Sequence, residues 1–304
     1  MKLRAMEPDD WAEVADLVYV SLNYWYAQYG KPPIFRGPPS ATRIFSEVYE
    51  ALDPGCCLVA ESEAGRLMGS CYYRARETHC SLGIMNVHPV YWGSGVAKAL
   101  LDWIVDFAAH ERKPLRLVSS AMNLESFSLY TRAGFVPSIA YQDMFLSVPA
   151  EGLPALAGSE RVRPATLADV DAMRDVELDV AGISRVKDYR YFIENAAGFW
   201  HVSVFEGNGR LEGWLVSCGH AELNIIGPGL ARTEEQAAAL LVAELNVSAG
   251  RTPVFIVPVT CGALVRLAYS WGARNCEMHF AQALRGEAEP FRGVSLATFL
   301  PETG

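Results

Sequence analysis

The apolar positions of this chain fall into two kinds of run: short extended ones bounded by Gly or Pro, and longer ones at helical spacing. The whole succession occurs twice. Leu3-Arg4-Ala5-Met6 reads as a short strand, after which Glu7-Pro8-Asp9-Asp10 opens a helix that runs to about Tyr29. Arg161-Val162-Arg163-Pro164-Ala165-Thr166 repeats the entry, and Asp169 follows Arg163 at the spacing that separates Asp10 from Arg4. Cys57–Glu61, a turn at Gly65 and a second run to Gly69 form a hairpin pattern, matched by Val202–Glu206, Gly209 and Gly213. Each half continues with a strand that leaves at a proline (Ile84 to Pro89; Leu223 to Pro228) and a helix centred on Leu-Leu (Leu100-Leu101; Leu240-Leu241). A further strand (Leu115 to Ser119; Pro253 to Val257) then leads to a helix closed by glycine, Gly134 or Gly272. Four matches in register mark an internal repeat.

Alternating strands and helices predict an α/β chain of the α+β layered kind, with two tandem domains of about 150 residues each. The Pro, Gly and small residues from Ser147 to Ser159 place a linker at 150–160, between a first domain at 1–149 and a second at 161–304.

The net charge of −9 and pI near 5.2, without a Lys/Arg cluster, argue against nucleic acid as a partner. No run approaches the ~18 uninterrupted apolar residues of a membrane span, so no membrane is expected and a cytoplasmic protein is. The seven cysteines are scattered without zinc-ligand spacing, so they read as reduced packing thiols and no metal is expected. Leu300-Pro301-Glu302-Thr303-Gly304 looks like a sortase signal but is expected to be the plain end of a final strand.

The stretch Ile84 to Leu101 turns from a strand through glycines into a helix, and such a turn aims backbone N–H groups and a helix N-terminus at an anion. It fails the Rossmann fingerprint, which needs glycine where Lys98 stands, and the Walker loop, which needs Gly-Lys followed by Ser or Thr. A ligand-free turn is also open for the loop by itself. Val87, Pro89, Gly95 and Ala97 resemble the acyl-coenzyme A loop of the GNAT acyltransferase superfamily, with Trp92 where that family has Gln or Arg. Asn123, Ser126, Leu129-Tyr130 and Gly134-Phe135 resemble its second signature.

The resemblance implies two GNAT-like domains, each a mixed, mostly antiparallel central sheet flanked by helices, and acetyl-CoA as co-substrate. It implies that Met85, Asn86, Val87, Trp92, Gly93, Ser94, Gly95, Val96, Ala97, Asn123, Ser126 and Tyr130 line the cofactor, and that Tyr130 protonates the departing thiolate. A phenol, with an ordinary pKa near 10, still carries its proton at neutral pH. Glu77 and His79, entering the strand before the loop, and His88 at its exit are the candidate bases, each also readable as a solvated surface residue. Tyr24, Trp25 and Tyr29 belong to an aromatic cluster that is either one wall of an acceptor pocket or the buried stripe of the first helix and the interface with the second domain.

In the second half Pro228-Gly229 occupies the expected turn, Thr233 and Gln236 form a capping box, and Glu234 and Glu235 oppose an anion. Ala268 stands four before Gly272, as Tyr130 stands four before Gly134, so the second copy is expected to be degenerate. The expected function is N-acetyl transfer to a small-molecule or peptide amine by direct attack, in a monomer or homodimer. The alternative is a non-catalytic acyl-CoA binding or sensing module.

Overall fold

The computed structural model describes residues 1–286 and 291–303. The chain divides into two compact units, one of Met1–Ala75, Cys80–Leu115 and Leu300–Glu302, the other of Arg76–His79 and the described part of Arg116–Phe299, with Thr303.

In the first unit, β1 (Lys2–Ala5), β2 (Cys57–Glu61), β3 (Leu67–Ala75) and β4 (Cys80–Val87) form an antiparallel succession in that order. Helices α1 (Trp11–Gln28), α2 (Arg43–Leu52) and α3 (Val96–His110) cover it. α3 buries Val96, Leu100, Leu101, Ile104 and Ala108, one stripe at helical spacing. Its approach needs Gly69 on β3, where a Cβ would lie 2.8 Å from the Asn86 carbonyl and 2.9 Å from Val96 Cγ1.

In the second unit the strand order is β5 (Leu115–Ser120), β12 (Arg274–Leu284), β6 (Val136–Phe145), β11 (Val254–Pro258), β10 (Leu223–Ala231), β9 (Arg210–His220), β8 (Trp200–Gly207), β7 (Val162–Pro164), and β13 (Val294–Leu296) also pairs with β10. Its helices are α4 (Leu124–Arg132), α5 (Val170–Ala181), α6 (Val186–Glu194), α7 (Glu234–Val247) and α8 (Gly262–Ser270). β6 is antiparallel to both β11 and β12, β10 is antiparallel to β9 and β13 and parallel to β11, and β8 is antiparallel to β7 and β9. β6, which follows α4 in the chain, pairs with β11 on one side and β12 on the other, so a strand of the first half is enclosed by strands of the second. The segment expected as a linker is irregular but pinned: Asn246 of α7 accepts from the Leu153 amide (2.6 Å) and donates to its carbonyl (3.2 Å), and Leu153 and Leu156 pack on the core.

The repeat holds at the level of register. Arg4 forks onto Asp10 (2.6 and 2.9 Å) and also reaches Glu61 (2.5 Å). Arg163 forks onto Asp169 (2.9 and 2.7 Å) and reaches Glu206 (2.9 Å). β2 and β3 carry a bulge between Ala60 and Glu61, with Ala60 opposite Gly69, and β8 and β9 carry the same bulge between Phe205 and Glu206, with Phe205 opposite Gly213. Gly69 in turn faces Val87 and Gly213 faces Ala231.

That register corrects one expectation. Pro228 does not end its strand; it sits in a bulge between Ile226 and Gly229, and β10 continues to Ala231. A bulge leaves a residue out of the ladder, so proline's missing N–H costs nothing there. The true equivalent of the His88–Gly95 turn, eight residues between Val87 and Val96, is the pair Arg232-Thr233 between Ala231 and Glu234. At the C-terminus Glu302–Thr303 forms a short strand, and Gly304 lies outside the described residues. Burial pushes the thiols of Cys80 and Cys261 up to about 11.

The Arg163 knot makes stability depend on pH. Hydrogen bonding from Arg163 holds Asp169 down to about 2 from its ordinary 3.8. A carboxyl depressed in the folded state stabilises fully above its unfolded pKa, and that contribution fades as pH falls from about 4 toward 2. Asp169→Asn should remove this acid limb and, because it also breaks the capping box with Thr166, lower stability at neutral pH by about 0.5–2 kcal/mol. Denaturant titrations across that pH range test this, and coincident profiles for variant and wild type would contradict it. Residues 1–149 alone should not yield a monomer that unfolds cooperatively, since β6 loses both partners; a monomeric, cooperative fragment by light scattering and denaturation would oppose this reading.

Candidate active site

The loop after β4 has the local features of an anion cradle. Gly93 (φ 76°) and Gly95 (φ 87°) lie in left-handed backbone, which a side chain would destabilise by about 1–2 kcal/mol each. A Cβ at either would meet no atom within 4 Å, so the loop opens to space. Among the described residues, the amides of Gly93, Gly95, Val96, Ala97 and Lys98 make no backbone hydrogen bond, as expected of donors at a helix N-terminus. Ser94 Oγ donates to the Tyr91 carbonyl (2.5 Å), and Lys98 is paired with Asp102 (2.5 Å).

Trp92, the departure from the family pattern, has a role in this geometry. Its Nε1 donates to the Val87 carbonyl (2.8 Å), and its ring meets Tyr24 of α1 edge-on at 5.3 Å. The side chain thus ties the loop to the end of β4 and to α1. Met85 and Val87 are half-buried. Asn86 is buried, accepts from Ser21 Oγ (2.8 Å) through Oδ1, and keeps an unpartnered Nδ2. Pairing of Asn86 with α1 was not legible in the sequence, because Ser21 lies a helix and two strands away in the chain.

In the second unit, Asn123 is the N-cap of α4, its Oδ1 accepting from the Ser126 amide (3.0 Å). Tyr130 is buried on α4, its ring 5.8 Å from that of Phe135. The Phe135 amide donates to the Tyr130 carbonyl (3.1 Å), and the Ala273 amide donates to the Ala268 carbonyl (3.1 Å). Ala268 therefore occupies the slot of Tyr130, and Tyr269 points to solvent beside Gln142. The Thr233–Gln236 capping box is formed.

Glu77 and His79 sit in a tight polar turn. Arg76 bonds Asp188 (2.7 Å), the Ser184 amide donates to Thr78 Oγ1 (2.9 Å), and Ser184 Oγ donates to Glu77 (3.3 Å). His79 Nδ1 lies 3.0 Å from Thr78 Oγ1, and the ring is buried, against the expectation of a solvated residue. This turn precedes β4 and the loop follows it, so the whole strand, about 23 Å long, separates them along the chain. His88 lies beside the loop, its Nδ1 accepting from the Val90 amide (3.4 Å).

The aromatic cluster is not a buried stripe. Tyr24 and Tyr29 are exposed and Trp25 is half-buried, with Trp25 and Tyr29 packed at 4.5 Å. The loop leaving α1 is anchored by a two-way bond between Asn23 and the Phe35 backbone (3.0 Å each). Among the described residues, no group of three or more His, Cys, Asp or Glu could hold a metal ion, and no helix is long and apolar enough to cross a membrane.

Residues 21–135, which include both the loop and Tyr130, match the acetyltransferase (GNAT) family. No curated protein matches the chain in sequence. Among solved structures, a putative acetyltransferase from Pyrococcus horikoshii is 16% identical, the match covering 99% of this chain and 95% of that one at a TM-score of 0.75. A GCN5-related N-acetyltransferase from Sphaerobacter thermophilus is 17% identical, with 93% and 95% covered and a TM-score of 0.64. A tandem GNAT protein from the clavulanic acid biosynthesis pathway is 15% identical, with 95% and 99% covered and a TM-score of 0.60. The family match is thus confined to residues 21–135, and the fold of the chain is similar to that of the tandem GNAT protein.

Trp92→Gln, which restores a residue usual in the family, should lower stability by about 1–2 kcal/mol through loss of one hydrogen bond and one aromatic pair. Equilibrium denaturation reads this out, and an unchanged midpoint would show that Trp92 does not hold the loop.

Proposed function

We propose that this chain is an acetyl-CoA-dependent N-acetyltransferase acting in the cytoplasm on an amine of a small molecule or peptide, as a monomer or homodimer. The observation that carries the reading is the loop, whose amides at Gly93, Gly95, Val96, Ala97 and Lys98 make no backbone hydrogen bond and whose left-handed glycines suit a pyrophosphate. In this reading Met85, Asn86, Val87, Trp92, Ser94, Val96 and Ala97 border the cofactor with the two glycines, and Asn123 and Ser126, at the start of α4, border its arm. Bound acetyl-CoA supplies an activated thioester. Tyr130 holds the proton that the leaving sulfur takes, and Tyr24, Trp25 and Tyr29 form the acceptor's wall, for which their exposure speaks.

The acceptor's proton is assigned to solvent. Glu77 and His79, singled out in the sequence, are held in the turn at the other end of β4, and a structural role suits them better. The cofactor-binding repeat is residues 1–149 and the silent one 161–304. Silence in the second follows from its two-residue turn, the formed cap and Ala268. The binding-module alternative draws on Trp92, which is committed to the loop's own architecture.

Calorimetry with acetyl-CoA should find one site per chain, lost in Gly95→Glu, which places a strained, negative side chain in the cradle. Two sites would refute the silent repeat, and no binding would remove the cofactor assignment. Tyr130→Phe should retain cofactor affinity while lowering turnover by about 10²–10⁴-fold. Binding without acetylation across a broad amine panel would favour the binding module.

A further inference from the structure

The second repeat carries a buried charged cluster for which the proposed chemistry has no use. Glu244 of α7 is fully buried and holds His201 of β8 through Nδ1, at 3.0 and 3.1 Å. Ser217 of β9 donates to the same carboxylate at 2.5 Å. Burying a carboxylate is unfavourable unless it is paired, and both partners here are supplied by neighbouring strands.

The first repeat shows what the fold needs at these positions. Gly213 with Gly69 and Glu206 with Glu61 fix the strand alignment, and Leu240-Leu241 with Leu100-Leu101 fix the helix, so that His201, Ser217 and Glu244 correspond to Cys56, Tyr73 and Ile104. None of those three is charged at neutral pH, and Ile104 is wholly buried in the stripe of α3. A hydrocarbon side chain therefore satisfies the packing, and the His–Ser–Glu cluster is an addition.

His201 also faces space. It lines a cavity of about 320 Å³ with Ser203, Pro164, Val242, Ala243 and Val247. With Nδ1 committed to Glu244, the other ring nitrogen, Nε2, is the one left for a ligand. The geometry points to a binding site for a short aliphatic carboxylate, with His201 Nε2–H as donor to its oxygen and the valine and proline side chains enclosing its tail. The charged groups around the ring are few. Glu244 lies behind it on α7, and Arg163 of β7, also on the cavity wall, is already held by Asp169 and Glu206. Hydrogen bonding to Glu244 raises the pKa of His201, so the imidazolium persists toward neutral pH.

The test uses the full chain and does not depend on acetyl transfer. Pentanoate, with pentanamide as the neutral comparison, is titrated calorimetrically at about pH 6 and about pH 8. Pentanoate should bind saturably and exceed pentanamide at the lower pH, and weaken by about tenfold per pH unit above the imidazolium pKa. His201→Gln, at a half-exposed position, should abolish binding, and Ala243→Phe, which fills the cavity and leaves both members of the His–Glu pair in the chain, should do the same. Absence of saturable pentanoate binding at about pH 6, equal binding of pentanamide, or retained binding in folded His201→Gln would each overturn the assignment.

Discussion

Strand β6 has two antiparallel partners, β11 and β12, and both belong to the second repeat. Much else follows from that pairing. β12 in turn stands beside β5, and it forms the bed on which α4 lies: Phe127 packs on Phe280 at 5.7 Å, and a Cβ at Gly134 would touch Leu284. The Ala121 amide donates to the Met278 carbonyl (2.8 Å), and Gln282 donates to Ser119 (2.6 Å). Tyr130 is thus positioned by a helix whose support is a strand of the other repeat.

Elements built from local chemistry were legible in the sequence. The spacing of Arg4 to Asp10 and of Arg163 to Asp169 marked the repeat because a bidentate guanidinium tying a strand to a helix start needs that interval. The Thr233–Gln236 cap and the closing glycines Gly134 and Gly272 were equally readable, since each is a contact within one turn of chain. The loop of the candidate site was also legible, because left-handed backbone demands glycine at Gly93 and Gly95.

Long-range pairing was not legible. Nothing in Val136–Phe145 announces that its neighbours lie more than a hundred residues onward. Pro228 misled for a related reason: proline signals the end of a strand only when its ladder position needs a donor, and a bulge removes that need. His79 and Asn86 were misjudged or missed because polarity predicts exposure only until a tertiary partner appears. The turn of His79 is held by the Ser184 amide on Thr78 Oγ1, and Asn86 accepts from Ser21 Oγ.

The two repeats have diverged in a consistent direction. Where the first keeps eight residues between β4 and α3, the second joins β10 to α7 through Arg232 and Thr233 alone. The Thr233–Gln236 cap satisfies donors at the start of α7 that would otherwise stay open. Where α3 has the buried Ile104, α7 carries Glu244, balanced by His201 and Ser217. A buried carboxylate in this position makes the packing more demanding, because loss of either partner would leave charge without compensation. The second repeat therefore carries, along the helix that follows its shortened turn, an ordered polar cluster that lines a cavity.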